Sequence, residues 1–257
     1  SRHAAGYKSW AGLSNKDKTP TFSQNLKYFF SYQIGWSYLR YFMWNFAGRQ
    51  NDYMNMDGNS LYGNWESGIG FIDNARLGTP SASDVDAPDH LKNNKAKNHY
   101  YFLPLILGLI GLLFHFKKNN EDALVVLLHF LFTGVLIIIY LNVVPFQPRE
   151  RDYAYAASFY AFSFWIGIGV WALFDFARNA NFNHLKKIAA YTIGGSALIL
   201  LAQYISGNGM TLGLSMSYMS VVSLMLFGLM YLLGKKYPSH LMIAVVPIAL
   251  GLFVPSI

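Results

Sequence analysis

The 257-residue chain has no cysteine. That excludes disulfides, thiol nucleophiles, iron–sulfur clusters and thioether-linked haem. Charge is scarce too: 13% of residues are Asp, Glu, Lys or Arg, about half the share of an ordinary soluble domain. The seven histidines (His3, His90, His99, His115, His129, His184, His240) show no HExxH or other ligand spacing, so no metal site and no resident cofactor is expected. The chain opens SRHAAGYKSW, with no charged segment leading into an apolar core, so no export signal is read there. It closes GLFVPSI within an apolar run, and the expectation is a piece of a longer polytopic protein.

Apolar and aromatic residues make up the balance, at 53% and 17%. Continuous apolar runs cover about 100–116, 123–145, 153–176, 188–205, 212–233 and 241–257. Each is long enough, or nearly so, to cross about 30 Å of hydrocarbon as a helix. The runs are continuous rather than alternating, which argues for helices over a β-barrel. The predicted fold is all-α: a polytopic transmembrane bundle of about six spans over 100–257, preceded by a loop region over 1–99.

Charge supports that division. Residues 1–99 hold 11 Lys/Arg and 8 Asp/Glu, and residues 100–257 hold 9 and 5. Loops 117–122, 177–187 and 234–240 carry seven basic residues, against Arg149 and Arg151 in the intervening loops. The positive-inside bias then puts residues 1–99 and the 146–152 loop on the exported side. Counting Lys92, Lys95 and Lys97 narrows that margin to seven against five. The net charge of +7 forms no basic stripe with interleaved aromatics, so nucleic acid is not an expected partner; membrane lipids are.

Residues 26–49 read LKYFFSYQIGWSYLRYFMWNFAGR, with Gln33, Ser37 and Arg40 forming one narrow polar stripe at helical spacing. Tyr and Trp favour the headgroup zone, so an interfacial helix is expected. A seventh span is the alternative, and it would place Arg40 in hydrocarbon at a cost of about 2.5–3.5 kcal/mol. Residues 80–99 read as a polar linker.

Three stretches concentrate charge beside aromatics: WNFAGRQND at 44–52, GNWESGIGFIDNARLG at 63–78 and QPRERDYAYAASFY at 147–160. An arginine guanidinium grips two phosphate oxygens at once, so Arg49, Arg76, Arg149 and Arg151 are candidates to hold a lipid-linked phosphate. Asp52, Asp73 and Asp152, with Glu66, are candidate acid/base groups. The competing reading pairs Arg49 with Asp52, Asp73 with Arg76, and the charges of 149–152 with one another. GNWESGIG lacks the Lys-Ser/Thr ending of a phosphate-binding P-loop. Within the spans, His129 and Gln203 read mainly as interhelical hydrogen-bonding groups, and Asp175 with Arg178 as a local ion pair.

The succession FFSYQIGWSYLRYFMWNFAGRQND, GNWESGIGFID, YYFLPLILGLIGLLFHF and PFQPRERDYAYAASFYAF resembles a large Bacteroidetes-type polytopic family. That family carries an uncharacterised domain and is related to protein O-mannosyltransferases of the GT-C superfamily. The likeness covers roughly residues 20–170. It implies a multi-pass enzyme of the bacterial inner membrane, moving a sugar such as mannose from a polyprenyl-phosphate donor to a protein acceptor at the exported face. The family's catalytic acid lies in an earlier exported loop that this chain does not contain, so the resemblance assigns no catalytic residue here. A flippase for a lipid-linked sugar and a structural subunit of an envelope complex are the rival expectations.

Overall fold

The computed structural model describes residues 2–14, 19–55, 58–78, 91, 94–147, 149–179 and 182–206, with Ser220, Val221, Leu224, Gly228 and Tyr231. The expected run at 241–257, and most of the run at 212–233 and of the 80–99 linker, lie outside the described residues. The chain divides into two compact units, residues 1–169 and 170–257. In the second, Phe182–Ser206 forms one helix.

Among its described residues the first unit is mostly helical, with one small sheet and connecting loops. Arg2–Ala11 is a short helix. Thr21 then opens a second, accepting from Gln24 N while the Gln24 side chain reaches back to Thr21 N. This reciprocal cap satisfies two otherwise orphaned donors. The helix runs on through Phe22–Tyr28, a π-helical stretch Phe29–Leu39 and Arg40–Phe46. Gln33, Ser37 and Arg40 are all buried, so the polar stripe faces protein.

Gly48–Arg49 (β1) pairs antiparallel with Asn98–His99 (β2), and Arg49 also bridges Trp65. The chain next enters Leu103–Lys118, 16 residues long. At about 1.5 Å per residue this helix spans only about 24 Å. It starts later than the apolar run because Tyr101 and Phe102 take left-handed backbone, and Tyr100 N and Tyr101 N are held by Ala47 O and Ser67 O.

Among the described residues two helices, Asn120–Leu141 and Asp152–Phe176, are long and apolar enough to cross a membrane. Asn119 caps the first by accepting from Asp122 N. Asn142, at φ 41°, ends it before the apolar run itself stops. The second begins as a 3-10 turn, Asp152–Tyr155, and continues as an α-helix.

The aromatic helix packs along both. Tyr28, Tyr32 and Gln33 meet residues 142–144. Tyr38 bonds Ser158, Oη to Oγ at 2.6 Å, above Gly134. Phe42 meets Phe130 and Phe162, and Phe46 meets Phe162 at 4.6 Å. Tilted and edge-on ring pairs of this kind add about 0.5–1.5 kcal/mol each beyond area burial. On the other flank, Gly111 lies against the Trp165 carbonyl and the Gly169 nitrogen, an approach that a side chain would prevent. Trp165 Nε1 donates to His115 Nδ1 at 3.3 Å.

Candidate anion-binding cleft

The loop after Leu141 is fixed by side chains reaching up from the aromatic helix. Tyr28 donates to Val143 O at 2.9 Å, Tyr32 to Val144 O at 3.0 Å, and Gln33 to Asn142 Oδ1 and Val143 O. From the N-terminal helix, His3 Nδ1 lies 2.7 Å from Pro145 O, and the Arg2 guanidinium sits over the Phe146 ring. Loop carbonyls without helical partners are thereby satisfied.

This fastening brings Glu150 to Arg40. Arg40 Nη2 donates to Glu150 Oε2 at 2.8 Å and Nη1 to Oε1 at 3.3 Å. Nη1 also donates to Gly63 O and Nε to Trp36 O. The guanidinium lies 4.3–4.8 Å from the ring centroids of Trp36, Tyr41 and Trp44. Tyr41 and the Asn55 amide also donate to the carboxylate. Burial by itself would raise the Glu150 carboxyl, but hydrogen bonds and charge from Arg40, then Tyr41 and Asn55, outweigh it and hold the group below its usual range.

Glu150 is therefore committed, which changes the standing of its neighbours. Arg149 and Arg151 line one small cleft with Trp36, Asn55, Tyr155 and the paired Arg40 and Glu150. Neither forms an ion pair among the described residues, and the buried Nε of Arg151 has no hydrogen-bond partner there. The cleft holds about 30 Å³, room for about two waters.

The other candidates are placed differently. Arg49 stacks 4.0 Å over Trp44 and donates to Asn51 O. Burial lowers its pKa, partly offset by Asp152, Asp52 and Glu150. Asp52 accepts from Asn94. Arg49 and Asp152 thus belong to the charge environment of the cleft without lining it. Arg76 lies 3.8 Å over Trp65 and donates to its carbonyl; burial lowers its pKa against the pull of Asp73 and Glu66. Asp73 accepts from Ser67 N, Ser67 Oγ and Gly68 N, fixing the turn before Gly70–Leu77. A carboxylate so engaged is a loop anchor. Glu66 is buried, with His99 Nε2 at 3.5 Å and Lys97 Nζ at 3.9 Å. Among the described residues no group of three or more His, Asp or Glu is arranged to hold a metal.

His129 is exposed, and Asp175 accepts from Asn179; the side chains of Gln203 and Arg178 lie outside the description. The two residues at the centre of the site, Arg40 and Glu150, were not among the candidates that sequence reasoning named, and Arg40 was the harder to find. Its stripe spacing was visible, and an arginine on a helix that aromatic needs an acid partner, but nothing local names Glu150 as that partner.

Compared with family models, curated proteins and solved structures, the chain matches none. Fold and site together define a mostly helical protein, with two helices among the described residues long and apolar enough to cross a membrane and an arginine-lined cleft where those two helices are joined.

Proposed function

We propose that the chain is part of a polytopic inner-membrane glycosyltransferase, with about six spans and with residues 1–99 and the 146–152 loop exported. It moves a sugar, mannose being the first candidate, from a polyprenyl-phosphate donor to protein. The observation that carries this reading is the commitment of Glu150 to Arg40, which leaves Arg149 and Arg151 in one cleft without an acid of their own. As the bond from the anomeric carbon to the phosphate oxygen breaks, the leaving phosphate gains negative charge. Two guanidiniums at that oxygen stabilise the transition state more than the ground state. The base that takes the acceptor proton is assigned to no residue of this chain.

The test uses membranes containing the full-length protein and radiolabelled polyprenyl-phosphate mannose, following label into protein. Arg149→Ala and Arg151→Ala should each lower transfer by about 10²-fold or more at unchanged expression. Normal transfer by both variants rejects the donor-phosphate role. A structural-subunit reading draws on the small volume of the cleft; absence of transfer from every donor sugar, by unaltered protein, would select it.

A further inference from the structure

The first turns of the aromatic helix carry an exposed apolar stripe that the interior does not use. Phe22, Leu26 and Phe30 recur every four residues and are 76%, 40% and 62% exposed. Recurrence at that interval puts them on one side of the helix. Tyr28, on the opposite side, is buried and bonds Val143 O, two residues past the end of Asn120–Leu141. The stripe therefore sits at the height where that helix ends. Tyr140 at its last turn, and Tyr153 at the start of Asp152–Phe176, are 86% and 61% exposed, as aromatics of an interfacial girdle are. Charge agrees: residues 1–30 carry Arg2, Lys8, Lys16, Lys18 and Lys27 against Asp17 alone. A basic segment bearing an exposed apolar helix face suits an anionic bilayer surface.

We infer that Phe22, Leu26 and Phe30 insert into the headgroup–acyl boundary of an anionic leaflet. The N-terminal segment is thereby held flat on the membrane beside the cleft. This rests on the membrane-spanning part of the reading above and not on its chemistry. It differs from the sequence expectation in which face meets lipid: the polar stripe of Gln33, Ser37 and Arg40 is internal, and lipid contact falls to the preceding turns.

Because the chain has no cysteine, single substitutions Phe22→Cys, Leu26→Cys and Phe30→Cys can be spin-labelled in the full chain. Lys95→Cys, exposed in the polar turn at 94–97, serves as the water control, and Val125→Cys, exposed on Asn120–Leu141, as the hydrocarbon control. Power saturation in nanodiscs of phosphatidylethanolamine and phosphatidylglycerol compares collisions with oxygen and with a water-soluble nickel chelate. The inference expects oxygen collisions several-fold above nickel collisions at 22, 26 and 30, and the reverse at 95. Nickel access at all three stripe positions, with Val125 still oxygen-dominated, overturns the inference and leaves the spanning reading intact. Nickel access at Val125 as well overturns both. Protection of the stripe from both reagents means protein covers it, and overturns the inference in favour of a second copy.

Discussion

Arg40 and Glu150, 110 residues apart in sequence, meet through two hydrogen bonds of 2.8 and 3.3 Å. The arginine is 4% exposed and enclosed by three aromatic rings. The pair ties the loop between the two long helices to the aromatic helix. It also decides which charges of that loop remain available.

Breaking the pair leaves a charge without its partner in a largely buried setting. Arg40→Ala should destabilise the protein by about 3–5 kcal/mol, read as a lowered Tm in detergent. A double-mutant cycle with Glu150→Ala should give a coupling of about 0.5–3 kcal/mol. Additive losses would show that the contact contributes no pairwise energy.

The same carboxylate sets an acid limit. Glu150 titrates below its ordinary value of 4.5 when folded. Its contribution is present above the unfolded value and is lost as pH falls through the folded one. As pH falls below that ordinary value, the Tm of the unaltered protein should therefore fall more steeply than that of Glu150→Gln. Equal slopes would remove Glu150 from the acid response.

Two glycines separate packing from propensity. A Cβ on Gly111 would meet the backbone of Trp165 and Gly169, whereas one on Gly167 meets nothing within 4 Å. Gly111→Ala should cost about 1–3 kcal/mol through overpacking. Gly167→Ala should be neutral or add about 0.5–1 kcal/mol. Thermal unfolding of the two variants reads the contrast, and equal effects would sink it.

The Tyr38–Ser158 bond is buried between helices. Tyr38→Phe or Ser158→Ala leaves one polar group unmatched, at about 1–3 kcal/mol, and combining them should recover part of that loss. A double variant as unstable as the sum of the singles would show that the hydrogen bond couples nothing.

Much of the local structure was legible. The apolar run at 123–145 became a helix because a continuous run that long can satisfy its backbone only internally, and Asn142 marks its end. The run at 153–176 held for the same reason. The stripe at Gln33, Ser37 and Arg40 gave the helical period correctly, but period says nothing about which side of a helix meets protein. For the site, Arg149 and Arg151 stood out as a charge cluster, while Asp73, expected as an acid beside Arg76, does act on Arg76 by its charge and also accepts from Ser67 and Gly68 in the turn before its helix. Spacing cannot distinguish those roles, because a carboxylate is assigned by the donors that reach it.

The sequence by itself determined that the described part of the chain is mostly helical, that the runs at 123–145 and 153–176 are long apolar helices, and which loops hold the arginines, since these depend on period, run length and composition. Tertiary structure decided that Glu150 serves Arg40 rather than its neighbours, that Gly111 is a contact point while Gly167 is not, and that Phe22, Leu26 and Phe30 stay outside. Those outcomes depend on which distant surfaces meet. That is settled by the summed packing of the aromatic helix against both long helices, a quantity no single stretch of sequence contains.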